Sequence, residues 1–258
     1  SHAAIDSAFI ENTVTSTSNF HFTIGESRLF DIADSRLRAE ALQASVVPKL
    51  KILLGNAIAE IQRVYGVDPL EDSIVSFFPN FRPRRENNSL ENYDWAFAGL
   101  GGKRVKNKWL GVTRQDGREV QILPFRIGFT FDRRGLGLNM HHNWLKGLDK
   151  KSHNKITNFY AHESDVIQNI LFHINSYPQI FNFEKCPPLA PMRDMYRMMA
   201  KENVRECDFY TESIAPPTNE AVRDIAIERF VTAYPIYDSI IRIAKGERHK
   251  FVRLVALA

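Results

Sequence analysis

The spacing of apolar positions changes period twice along the chain, from helical to strand-like and back. Asn19-Phe20-His21-Phe22-Thr23-Ile24 alternates and predicts a first strand. A helical region follows, with Asp34 or Ser35 placed to cap it, because a short side-chain oxygen can accept from the free amides of a first turn. Val46-Val47-Pro48 predicts a break, with Pro48 in the first turn of a new helix. Leu50, Leu53, Leu54, Ile58, Ile61, Val64 and Tyr65 then mark one helix face, and Gly66 supplies a left-handed C-cap.

From Ile74 to Trp144 the period is strand-like. Ile74 to Phe81 is rich in aromatics, and Tyr93 to Ala98 alternates with Trp95 and Phe97 on one side. Gly99-Leu100-Gly101-Gly102-Lys103-Arg104 reads as a glycine-rich basic loop. Trp109 to Arg114 and Val120 to Phe131 form a predicted hairpin about Asp116-Gly117, a pair suited to tight turns. Asp132-Arg133-Arg134-Gly135 is a second tight turn, leading into Leu136 to Met140. Short connections of this kind join antiparallel neighbours.

Beyond Leu148 the helical period returns, with Val166, Ile167, Ile170, Leu171 and Ile174 on one face and a stop at Tyr177-Pro178. Ile180 to Phe183 and Asp208 to Ile214 predict short strands, and Met192, Met195, Tyr196 and Met199 a helix between them. Thr218 is the expected cap of a final amphipathic helix through Ile225, Ile227, Phe230, Val231 and Tyr234, which Pro235 bends or restarts. Elements segregated as helices, strands and helices predict an α+β fold. Residues 1–18 form a flexible N-terminal segment, and 19–258 a single domain in which a curved antiparallel sheet is packed by helices from both ends of the chain.

Eighteen Phe and an apolar fraction of 44% exclude a disordered chain. No apolar run approaches the ~18 residues of a membrane span. Two cysteines, Cys186 and Cys207, make no disulfide framework and no metal-ligand spacing, which predicts a reducing, cytoplasmic setting. The start at Ser1-His2 reads as a scar, a processed end, or a piece of a longer chain with further domains. The formal net charge is only +4, but Arg82 to Lys155 holds 16 Lys/Arg against 7 Asp/Glu. This imbalance predicts an anionic partner, nucleic acid first. Cations that keep strand edges from pairing explain it as well.

Arg84-Arg85, Asp94-Trp95-Ala96-Phe97, Lys103-Arg104 and Leu123-Pro124-Phe125-Arg126-Ile127-Gly128, with Pro48-Lys49-Leu50 upstream and Phe230 to Pro235 downstream, resemble the YktB-like family of small bacterial proteins, a domain of unknown function. The resemblance implies an α+β fold with a curved antiparallel sheet and no stated activity. Here Arg126 stands where that family has Gln, and Lys106 to Gly117 is an insertion. The Trp-Ala-Phe strand, glycine-rich turn and basic hairpin are also similar in pattern to the DNA-reading domains of McrB-type restriction proteins, which implies a restriction or defence setting.

The chemistry that the chain offers is basic and aromatic. Arg82, Arg84, Arg85, Lys103, Arg104, Lys106, Arg133 and Arg134 are the candidate phosphate contacts, since cations neutralise phosphates. Trp109 and Trp144, beside polar loops, are the candidate stacking surfaces for bases. The reading is a nucleic-acid-binding module, DNA before RNA, with no resident cofactor. The alternatives are a divalent-metal-dependent phosphodiesterase or nuclease using His141, His142, His162 and Glu163, and a structural or interaction domain. The metal alternative lacks a H-E-x-x-H spacing. No acidic-x-Lys falls on a predicted strand, no G-x-S-x-G elbow is present, and the glycines fit neither a Rossmann nor a P-loop pattern.

Overall fold

The computed structural model describes residues 21–79, 93–102, 112–113, 119–120, 125–143, 150–181 and 206–258. Six α-helices are found among these: α1 (Ile24–Ser27), α2 (Ser35–Tyr65), α3 (Lys150–His162), α4 (Ser164–His173), α5 (Glu220–Lys245) and α6 (Phe251–Val255). The strands are β1 (Ser73–Phe78), β2 (Trp95–Gly102), β3 (Val112–Thr113), β4 (Glu119–Val120), β5 (Phe125–Asp132), β6 (Gly135–Asn143), β7 (Ser176–Phe181) and β8 (Glu206–Thr211). The fold is α+β. Six strands form an open, wholly antiparallel sheet in the order β1-β2-β5-β6-β8-β7, and β3 and β4 pair separately. No described helix is long and apolar enough to cross a membrane.

The two long helices come from opposite ends of the chain and cover one face of the sheet. Asp34 caps α2 by accepting from the Leu37 amide, and Gly66 closes it at φ 63°. The expected break at Pro48 does not occur, and α2 runs through it. A proline inside a helix costs about 3 kcal/mol. Val46, Val47, Leu50, Leu53 and Leu54 around it are all buried, and each such side chain contributes roughly 1.5–3 kcal/mol, so packing outweighs the missing hydrogen bond. Pro235 is likewise buried inside an unbroken α5, for the same reason.

Several other expectations are corrected. Residues 21–24 are no strand: Thr23 caps α1, with the Glu26 side chain accepting from the Thr23 amide at 2.8 Å, a reciprocal box that suits a helix start. Phe22 instead enters the core and stacks on Phe131 with ring centroids 4.4 Å apart. Thr218 does not cap the last helix. Asn219 does, while the Thr218 hydroxyl accepts from the Phe22 amide at 2.7 Å and ties the two ends of the chain together. Gly99 to Gly102 belong to β2, not to a loop, because β1 and β5 on either side hold them in register. β7 begins at Ser176 and contains Pro178, which a strand tolerates at a sheet edge. The expected helix at Met192 to Met199 lies outside the described residues.

Helix α5 is anchored to the sheet and to α2 by polar contacts. The Tyr65 hydroxyl donates to the Val231 carbonyl at 2.7 Å, and Tyr237 and Ser73 share a buried hydroxyl pair at 2.8 Å. At the end of α5, Lys245 pairs with Asp72, and Arg242 bonds Asp238 at 2.8 Å and Glu247 at 3.3 Å. Burial raises the Asp238 carboxyl above its usual range, against the pull of Arg242; Asp72 adds to the rise, and Lys250 opposes it. Burial also pushes the Tyr237 hydroxyl far up.

Tyr237→Phe strands a buried Ser73 hydroxyl and is expected to lower stability by about 1–2 kcal/mol in urea unfolding. An acid with a raised folded pKa binds its proton more tightly in the native state, so its contribution is fullest below the ordinary carboxylate range and is lost as pH rises through the raised value. The stability difference between the native chain and Asp238→Asn should therefore shift against the native chain as pH climbs across that window. Parallel pH curves for the two proteins would contradict this.

Candidate binding face and cleft

The registers settle which side chains share a face. Ala96, Ala98 and Leu100 of β2 lie opposite Phe131, Phe129 and Ile127 of β5, and all six are buried in the core with α2 and α5. Successive strand residues alternate. Trp95, Phe97, Gly99 and Gly101 of β2, with Arg126, Gly128, Thr130 and Asp132 of β5, therefore point away from those helices. The same far face carries Phe78 on β1, Asn139 and His141 on β6, and Asp208 and Tyr210 on β8.

Its central feature is a glycine pair. Gly99 and Gly128 are direct partners across β2 and β5. A Cβ at Gly128 would meet Phe97 Cε2 at 2.4 Å and the Ala98 carbonyl at 2.6 Å, and one at Gly99 would meet Phe97 Cζ at 2.5 Å. The Phe97 ring thus lies down on bare backbone and is only 1% exposed. Trp95 meets it edge-on at 5.9 Å, Phe78 stacks on Trp95 at 5.0 Å, and Tyr93 stacks on Phe78 at 5.4 Å. Phe78, Tyr93 and Trp95 are each partly exposed. The Arg126 guanidinium sits 5.1 Å from the Phe97 ring and 5.4 Å from Trp95, within cation–π range of both.

Beside this row lies a buried polar cluster. Asp208 Oδ1 accepts from His141 Nδ1 at 2.7 Å and from Asn139 Nδ2 at 3.3 Å. Asn139, His141 and Asp208 are 3%, 6% and 3% exposed. An ionised carboxylate only accepts, so both groups facing it are N–H donors. The contact therefore places a proton on His141 Nδ1 and turns the Asn139 carbonyl oxygen away from Asp208.

Cluster and row border a cleft of about 340 Å³. Trp95 comes from β2, Arg126, Thr130 and Asp132 from β5, Asn139 from β6 and Tyr210 from β8; Asp94, Arg134, Thr211 and Ser213 complete it. Two arginines and two aspartates give the lining no net formal charge.

Of the residues expected at an interface, Arg133 and Arg134 are described, in the β5–β6 turn, and both are exposed. Arg133 pairs with Asp31, and Arg134 with Asp132 at 2.6 Å, so nearby carboxylates offset both charges. Arg82, Arg84, Arg85, Lys103, Arg104, Lys106, Trp109 and Trp144 lie outside the described residues. The metal candidates are divided. His141 is held by Asp208 within the sheet, whereas the His162 ring bonds the Asn158 carbonyl at 2.8 Å at the end of α3, and Glu163 precedes α4. His142 is on β6, with its side chain outside the description. Among the described residues no group of three or more His, Cys, Asp or Glu could hold a metal ion.

Arg126, Asn139, Asp208 and Tyr210 are not among the site residues that the sequence predicts. Counting back and forward from the Asp132–Gly135 turn in steps of two gives Arg126 and Asn139 a common face. Asp208 and Tyr210 required knowing that β8 lies beside β6. No family model matches the chain, and no curated protein matches it.

Gly128→Ala should cost about 1–3 kcal/mol in urea unfolding, as overpacking does. Phe97→Leu should cost less in that background than in the native chain, because the smaller side chain relieves the part of the clash that the ring makes. Equal costs in the two backgrounds would show that the ring does not rest on Gly128.

Proposed function

We propose that this chain is a nucleic-acid-binding module, DNA before RNA, that takes a single-stranded segment on the sheet face turned away from α2 and α5. The observation that carries this reading is the partly exposed row Tyr93, Phe78 and Trp95, seated on Phe97, with the Arg126 guanidinium beside it. Aromatic faces stack on unpaired bases whatever their sequence, at roughly 1–3 kcal/mol per base. In this reading the cations of the central segment, Arg82, Arg84, Arg85, Lys103, Arg104 and Lys106 among them, meet the phosphates. Arg133 exchanges its exposed partner Asp31 for phosphate at little cost, since exposed ion pairs are worth only ~0–1 kcal/mol, and Arg134 is itself exposed. The similarity in pattern to McrB-type domains favours a restriction or defence setting.

Fluorescence anisotropy with labelled single-stranded DNA, single-stranded RNA and duplex DNA across a salt series tests this. Single strands should bind more tightly than duplex, and affinity should fall linearly in log–log form as salt rises. Trp95→Ala should weaken single-strand binding roughly 5- to 150-fold. An absence of binding at low salt, or an unchanged affinity in Trp95→Ala with the fold intact, would overturn the reading.

A further inference from the structure

We propose that the 340 Å³ cleft holds one unstacked nucleobase and that Asn139 reads its edge, held in one orientation by Asp208. This rests on the reading of the far face as a nucleic-acid interface and extends it to a particular pocket. Ligand pockets run from ~300 to ~1,000 Å³, so this cleft suits a single ring system with its sugar. Trp95 and Tyr210 bring aromatic surface to the lining, and Thr130 and Ser213 bring hydroxyls. The balance of Arg126 and Arg134 against Asp94 and Asp132 suits the neutral base, with its phosphate left outside.

Asn139 is the selective element. It is nearly fully buried yet lines the cleft, and a buried amide needs its hydrogen bonds. Among the described residues its side chain bonds Asp208 through Nδ2, and His141 fixes that carboxylate in turn. The amide oxygen has no hydrogen-bond partner among the described residues. The cleft therefore presents an acceptor first, with the second Nδ2 hydrogen beside it. An asparagine so placed complements a protruding amine with a ring nitrogen next to it, as in adenine. Cytosine offers the same pair. In that same pose guanine O6 and uracil O4 would set one carbonyl oxygen against another.

Titration calorimetry with AMP, CMP, GMP and UMP tests this, alongside anisotropy with single-stranded oligonucleotides. AMP and CMP should bind at least about fivefold more tightly than GMP and UMP. Asn139→Leu should abolish the ranking. Asp208→Asn replaces a pure acceptor with a group that can also donate, so the Asn139 amide is no longer held one way and the ranking should narrow. A purely structural role for Asp208 would alter stability without altering the ranking. Should either variant fail to fold, the ranking on the native chain still decides. If oligonucleotides bind but the four mononucleotides bind equally, in the reverse order or not at all, the pocket assignment falls and the interface stands. If the ranking holds but oligonucleotides do not bind, the interface reading falls and the cleft remains a mononucleotide site.

Discussion

Where β2 and β5 pair at Gly99 and Gly128, the sheet has no side chains on its far face, and Phe97 lies flat on the backbone. This packing fixes much of what surrounds it. Phe97 sets the position of Trp95, Trp95 that of Phe78, and the two rings together seat the Arg126 guanidinium. A side chain at either glycine would lift the ring and break the row. Glycine in a strand interior costs backbone entropy, and here that cost brings an aromatic surface into contact with the sheet itself.

The long helices fill the near face of the sheet. α2 and α5 bury their apolar stripes against Ala96, Ala98, Leu100 and the odd-numbered residues of β5, and each runs through a proline to do so. Hydroxyl and ion-pair contacts at Tyr65, Ser73, Asp72 and Asp238 hold α5 in place. The fold thus separates its tasks: stability resides largely on the helix side, and polar and aromatic chemistry gathers on the other.

Local chemistry made part of this legible in the sequence. Asp34 and Gly66 bound α2 as their side chains and φ freedom require, and the Asp132–Gly135 turn lies between β5 and β6 as expected. Readings that depend on tertiary packing went astray. Pro48 looked like a break because its cost is local while the compensation is not. Gly99 to Gly102 looked like a loop because a strand of glycines has no periodicity; only the neighbouring strands reveal it. Asp208 lies 67 residues beyond its partner His141, and no spacing rule joins them. The basic residues that drew attention by number are mostly in segments the description does not cover. Arg126, a single cation among apolar neighbours, holds the central place on the far face.

The central claim is that bases lie on the far face of the sheet, against the row that ends at Phe97. Photocrosslinking of the native chain to single-stranded oligonucleotides bearing a photoreactive base, followed by peptide mapping, measures this directly. Adducts are expected in β2 and its neighbours, at Tyr93, Trp95 or Phe78 and, from a base in the cleft, at Tyr210. Adducts confined to α2, α4 or α5, with none on these strands, would contradict it.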